Sequence, residues 1–300
     1  MKKTKLLTLA ALISLFTASC GCSHSNTSLS REEESEDVSS EVSSTSTDES
    51  VSGSVTSTSE EKEPLVSDLT EENYKSFITY YRAKFNKFNS FKAKTEGVTK
   101  SSTFGIEVDQ SILVDTIKAS DYTYMKNESH SSLVNTVHLA YYHDDKALYK
   151  DNDETNYHLK TLKDYLDKYG TYPLDKGIEG YKINDETILS ISLAKDGDNY
   201  TFNLGLDPEK ATTNVRIQMK QFGGLSDYPI FSEMNLKVTV KNDYTPIKIE
   251  VDSKYQASMS IFTSDCHQTY TNTFSNINEE LVIEDLNNVK DLFNGEVEAE

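Results

Sequence analysis

The chain has 300 residues, 36% of them hydrophobic and 26% charged, with three Cys, no Trp and a net charge of −19. So acidic a balance lacks the electrostatic footprint that binding nucleic acid or anionic lipid headgroups requires. The length allows one large domain or two small ones. Lys2, Lys3 and Lys5 make a positive N-terminal region, and Leu6 to Phe16 is an apolar run broken only by Thr8 and Ser14. Such a run matches the core of a signal peptide and falls well short of the roughly 20 residues that a membrane-spanning helix needs.

The run ends in Thr17-Ala18-Ser19-Cys20. Small residues directly before a cysteine resemble the lipobox of bacterial lipoproteins, with Thr17 standing where that family usually has Leu. The resemblance implies a signal peptide over 1–19, cleavage before Cys20, and diacylglycerylation of Cys20 as the new N-terminus. Two acyl chains anchor a protein stably where one is marginal. The expected location is therefore the extracytoplasmic face of the cell membrane, held by the lipid. The alternative is an ordinary secretory signal followed by a stray cysteine. Cys22 fits less well, because Cys20 would occupy the second position before it. Cys266 is then alone in the body of the chain and reads as a buried structural thiol.

From Ser23 to Val66 there are 20 Ser or Thr, eleven acids, two bases and no aromatic residue. Such a segment cannot bury enough apolar surface to offset the entropy of ordering it. Residues 20–66 are thus expected to be the lipidated cysteine and a disordered tether. The tether reaches about 150 Å fully stretched and about 40 Å on average as a coil.

A folded domain is expected over 67–300. Thr70 suits an N-cap, with Glu71 and Glu72 in the first turn. Tyr74, Phe77, Tyr81, Phe85 and Phe88 recur at helical spacing, an aromatic stripe that reads as core. After Phe91 the period becomes two. Phe104, Ile106 and Val108 read as one strand, and Val137, Leu139 and Tyr141 as another. Asn127-Glu128-Ser129, His143-Asp144-Asp145 and Asp151-Asn152-Asp153 read as polar turns. Thr161 to Tyr169 reads as a short helix with Gly170 as its C-terminal cap. Leu189 to Leu193 and Tyr200 to Leu206 form a hairpin about Asp196-Gly197-Asp198-Asn199. Asp207-Pro208 opens a helix with Ala211, Val215, Met219 and Phe222 on one face, stopped at Gly223-Gly224. Leu236 to Val240, Ile247 to Ile261 and Tyr270 to Ile277 are further strands, and a short helix spans Leu286 to Phe293.

Alternation with one polar face means an antiparallel sheet. The layer logic gives an α+β domain: a large curved antiparallel β-sheet, a half-barrel, with the N-terminal helix and two or three further helices packed on its concave face. Catalytic signatures are absent: no HExxH, GxSxG, CxxC, P-loop or GxGxxG. Ser192-Leu193-Ala194-Lys195 matches SxxK, but in a strand Ser192 and Lys195 face opposite ways. Cys266 and His267 fail as a pair for the same reason. His143, Asp144, Asp145, Asp151 and Asp153 lack the Gly and terminal Glu of a calcium loop and read as solvated turns.

Lipobox, Ser/Glu tether, N-terminal helix and many alternating strands interrupted by helices together resemble the lipoprotein-carrier fold of LolA/LolB and of the mycobacterial LppX/LprG lipoproteins, and also the lipoproteins of low-GC Gram-positive bacteria. The carrier resemblance covers 67–277 and rests on element order. It implies a lipid or acyl chain bound between sheet and helices. The absent catalytic signatures make an enzyme the least expected reading, one that a buried cluster of perturbed Asp, Glu or His would revive, and no cofactor or metal is expected. A hydrophobic ligand predicts an apolar cavity of several hundred Å³ lined by Phe202, Leu204, Val238 and Ile249. The competing reading is a surface-displayed interaction or structural module with a solid core. The expected partners are the membrane, through the anchor, and a hydrophobic small molecule; nucleic acid is not expected, and the chain is expected to be a monomer.

Overall fold

A computed structural model describes residues 63–132, 135–152, 154–169, 180–223, 225–259 and 261–295. The signal peptide, Cys20, nearly all of the tether, and Asp153, Gly170 and Gly224 lie outside the described residues. The strands are β1 (Phe91–Thr103), β2 (Ile106–Ala119), β3 (Tyr122–Ser131), β4 (Asn135–His143), β5 (Lys146–Asp151), β6 (His158–Thr161), β7 (Ile188–Asp196), β8 (Asn199–Leu206), β9 (Ile230–Lys241), β10 (Pro246–Met259) and β11 (Phe262–Ser275). The helices are α1 (Phe77–Phe85), α2 (Leu162–Tyr169), α3 (Pro208–Ala211), α4 (Thr213–Gly223) and α5 (Leu286–Val289).

All eleven strands belong to one sheet, ordered β6-β5-β4-β3-β2-β1-β11-β10-β9-β8-β7. Two antiparallel meanders, β1–β6 and β7–β11, meet where the first strand pairs with the last, Thr95 opposite Asn272. The sheet is an open half-barrel whose edges are β6 and β7, and helices pack against its inner face. This is the α+β architecture that the alternating pattern predicts.

Local chemistry explains most elements. The backbone N–H of Thr70 bonds Asn73 Oδ1 at 2.8 Å, starting a 3₁₀ turn that runs into α1. Asp207 accepts from the backbone N–H groups of Glu209 and Lys210, capping α3 with Pro208 at its first position. Thr212 then separates α3 from α4, so the single predicted helix is two. Asn127-Glu128-Ser129 lies inside β3 rather than in a turn, because Ser129 is buried and accepts from Gln110 Nε2 at 2.6 Å. Of the predicted strand Phe104, Ile106 and Val108, Ile106 and Val108 lie in β2, whereas Phe104 falls in the β1–β2 turn, with φ of 51° at Phe104 and 75° at Gly105. Ile261 likewise falls at the β10–β11 turn, and β11 begins eight residues earlier than the alternation of Tyr270 suggests.

Four apolar clusters hold the layers together. Under α1, Phe77, Tyr81 and Phe85 pack on Phe202, Leu236, Val238, Ile249 and Phe274 of the sheet. Under α2, Tyr165 packs on Ile112, Val114, Met125, Ala140, Tyr142 and Tyr149. Under α4, Met219 packs with Phe231, Tyr255, Ala257 and Cys266. The closing segment differs from expectation: Ile283, Val289 and Phe293 cover Tyr141, Leu148 and Leu159. Successive strand residues face opposite ways, so Tyr141 and Tyr142 lie on opposite faces, and β4 and β5 are buried on both.

Candidate functional site

Phe202, Leu204, Val238 and Ile249 are all buried in the cluster beneath α1. The Phe77 ring stacks on Phe202 with centroids 4.0 Å apart and planes within 9°. Rings of the predicted amphipathic helix therefore fill the space where a cavity lined by these four residues is expected. α1 is clamped at its margins: Lys84 Nζ meets Asp243 Oδ2 at 2.7 Å, and Arg82 Nη1 donates to the Ile183 carbonyl at 3.4 Å.

The centre of the same face is polar. One row of the sheet runs through Ile249, Asn272, Thr95, Val114, Asn127, His138 and Asp151, in register from β10 to β5. A second runs through Met234, Ser253, Gln268, Thr99 and Gln110. The second row divides the cluster under α1 from that under α4. Gln268 Nε2 donates to Thr99 Oγ1 at 3.4 Å, but Ser253 Oγ, Asn272 Oδ1 and Asn127 Oδ1 are buried with no hydrogen-bond partner. Ser253 is fully buried and Asn272 is 7% exposed. An unpaired buried oxygen costs about 1–3 kcal/mol, so three on one face demand a reason. The sequence carried a signal for them: Ser253 keeps phase with Val251 and Tyr255, and Asn272 with Tyr270 and Phe274.

At the β5 end the row closes into a buried relay. Tyr142 O–H donates to Tyr165 Oη at 2.8 Å, and Tyr165 Oη lies 2.7 Å from His138 Nε2. His138 Nδ1 is 2.6 Å from Asp151 Oδ1, and Tyr169 O–H donates to Asp151 Oδ2 at 2.5 Å. The Asp151 carboxylate can only accept, so Nδ1–H is assigned to it, and Nε2 faces the Tyr165 hydroxyl. Burial, with Asp151 beside it, pushes the Tyr169 hydroxyl far above the usual tyrosine range. Asp151 is thus a ligand of α2 through Tyr169, not the solvated turn residue that its neighbours Asn152 and Asp153 suggest. The relay secures α2 to the sheet and uses both histidine nitrogens.

The opposite face of the central strands is open. A recess of about 1060 Å³ lies there, bordered by Glu96, Ser111, Asn203, Lys237, Glu250 and Thr271, and a second of about 710 Å³ follows it along the strands at Lys100, Lys254 and His267. Some of the acids there have partners: Glu96 meets Lys94 at 2.7 Å, Glu250 meets Lys248 at 2.8 Å, and Asp252 Oδ1 lies 2.8 Å from His267 Nε2. His267 is on this face and Cys266 on the other, as expected for neighbours in a strand. Burial pushes the Cys266 thiol up to about 11, and its Sγ lies 3.9 Å from Ser101 Oγ. Ser192 and Lys195 do not meet; Lys195 Nζ lies over the Tyr200 ring. Among the described residues no three His, Cys, Asp or Glu converge as a metal site, and no helix is long and apolar enough to cross a membrane.

Fold and site together define a class: an open antiparallel half-barrel whose inner face is capped by separate short helices around a polar centre. No protein-family model and no curated protein matches the chain. Solved structures similar to it include a LolA superfamily protein from Nitrosomonas europaea, at 7% identity and a TM-score of 0.28, covering 70% of this chain and 95% of that one. A DUF1329 family protein from Desulfovibrio piger follows at 11% identity and 0.27, covering 70% and 94%. An outer membrane lipoprotein-sorting protein domain from Vibrio parahaemolyticus stands at 12% and 0.25, covering 74% and 98%. Likeness at these identities concerns the fold alone.

Proposed function

We propose that this chain is a lipid-anchored, extracytoplasmic, non-catalytic carrier that takes an amphipathic ligand between sheet and helices. The observation that carries the reading is the set of unpaired buried oxygens of Ser253, Asn272 and Asn127 on the face that α1, α2 and α4 share. An Asn Oδ1 lacking a partner calls for a hydrogen-bond donor. The favoured ligand therefore pairs an acyl or similar apolar chain with hydroxyl or amide N–H groups. Its polar part sits on the two central rows, and its chain takes the place of the α1 rings against Phe202, Val238 and Ile249. The exchange of one apolar surface for another leaves the burial of the sheet nearly unchanged. The non-catalytic part of the reading rests on the sequence, which carries no HExxH, GxSxG, CxxC, P-loop or GxGxxG. Anchoring rests on Cys20 and its lipobox.

A second reading, a displayed interaction module, is favoured by the filled cluster under α1 and by the recess on the open face. Native mass spectrometry of a soluble form lacking Cys20 and Cys22, followed by organic extraction, separates the two. A co-purifying amphipath, diminished in Asn272→Leu, is the expected result. A bare protein mass with no uptake of offered lipid rejects the carrier and leaves the module.

A further inference from the structure

At one end of the sheet two neighbouring hairpin turns present large apolar side chains to solvent. Phe104 is 80% exposed, Ile106 52% and Ile261 83%, and the Phe104 ring meets Phe262 edge-on at 5.8 Å across the β1–β11 junction. Turn chemistry does not explain Phe104. A two-residue hairpin turn with positive φ at both positions prefers Asn-Gly or Asp-Gly. A left-handed backbone at a non-glycine residue costs about 1–2 kcal/mol; Phe104 has it at φ 51° while burying little of its ring. The position thus goes against local preference and against burial at once, and Ile261 repeats the exposure on the adjoining turn.

We propose that these paired tips insert into the interfacial layer of a bilayer of zwitterionic lipid. Shape argues against a protein partner: two narrow turns bare about 400 Å² of apolar surface, half the roughly 800 Å² per side of a stable protein interface. A fluid interface needs no matching surface, and its binding strength scales with the apolar area inserted. Charge sets the lipid class. Glu107, Asp109 and Asp265 flank the tips against Lys100 and Lys254, so anionic headgroups are disfavoured. The proposal rests on anchoring through Cys20, which holds the domain beside a bilayer so that weak insertion suffices.

Position in the chain is compatible with this. The tether enters beside the β9–β10 turn, where the Val66 N–H bonds the Asn242 carbonyl at 2.9 Å. β10 separates that turn from the tips by 14 residues, about 45 Å at strand rise.

The chain has no Trp, so Phe104→Trp and Phe262→Trp each make a unique fluorophore. The acylated full chain carrying either one is reconstituted with phosphatidylcholine vesicles, plain or brominated. Flotation reads the anchor and fluorescence reads the tips. The expected result is flotation together with at least about twofold quenching by the brominated lipid for both variants. Flotation with unquenched emission, whether water-like or blue-shifted by protein contact, overturns the tip proposal and leaves the anchor standing. Failure to float overturns the anchor and the proposal with it.

Discussion

Replacing Ser253 by Ala should stabilise the ligand-free protein. Ser253 is fully buried between Met234 and Gln268 of the neighbouring strands, and its Oγ has no partner. Removing an unsatisfied hydroxyl recovers about 1–3 kcal/mol. The lost oxygen leaves a void of about 20 Å³, which at 24 cal/mol per Å³ takes back about 0.5 kcal/mol. The net gain is about 0.5–2.5 kcal/mol. At 2–4 °C per kcal/mol for a domain of this size, the midpoint should rise by about 1–10 °C. Scanning calorimetry of delipidated protein measures this, and lipid uptake by the same variant should fall. Asn272→Leu, which keeps the branching of the side chain, should behave alike. A loss of about 1 kcal/mol or more in Ser253→Ala refutes the reasoning: the hydroxyl is then satisfied in the folded protein, and the polar rows are not waiting for a ligand.

Three further outcomes are expected. His138→Phe removes the ring nitrogens that join Tyr165 on α2 to Asp151 on β5; it should cost about 2 kcal/mol and speed amide exchange through α2, and unchanged exchange there would show that the relay does not hold the helix. Gly97→Ala brings a Cβ within 2.5 Å of Tyr270 Cβ and 2.7 Å of the Thr269 carbonyl; the junction of β1 and β11 must spread, so urea denaturation should show a loss of about 2 kcal/mol or more. Cys266 keeps its proton in the folded state up to about 11, against an unperturbed 9.0. A raised folded value means stability that is intact below pH 9 and declines between pH 9 and 11. Cys266→Ala should flatten that part of the pH–stability curve, and a decline of the same size in the variant would place its cause elsewhere.

The residues that sequence reading missed share a physical feature. Alternation in β4 marks Val137, Leu139 and Tyr141 as one face and treats His138 as its polar complement. α2 covers that complement and the closing segment covers the other side, so both faces are buried. Asp151 reads as a turn residue among Asn152 and its neighbours, and becomes a half-buried acceptor because β4 brings His138 and α2 brings Tyr169 to it. Asn127 reads as a turn residue because polar residues cluster there, whereas pairing with Val114 and His138 holds it in mid-strand.

Features that depend on neighbours along the chain are legible in the residues alone. Period two set the strands and their faces, helical spacing set α1 and α2, Asp207-Pro208 set the start of α3, and Gly197 set the β7–β8 turn. These fix an antiparallel α+β domain because strand and helix periods are local properties of side-chain direction. Tertiary structure alone decided which strands close the pattern. The pairing of β1 with β11 joins residues about 170 positions apart, and no local signal encodes such a separation. That pairing brings Thr95, Asn127 and Asn272 into one row, seats α1 on Phe202, and sets the Phe104 tip beside Phe262. The candidate ligand face and the candidate membrane contact both exist only through it.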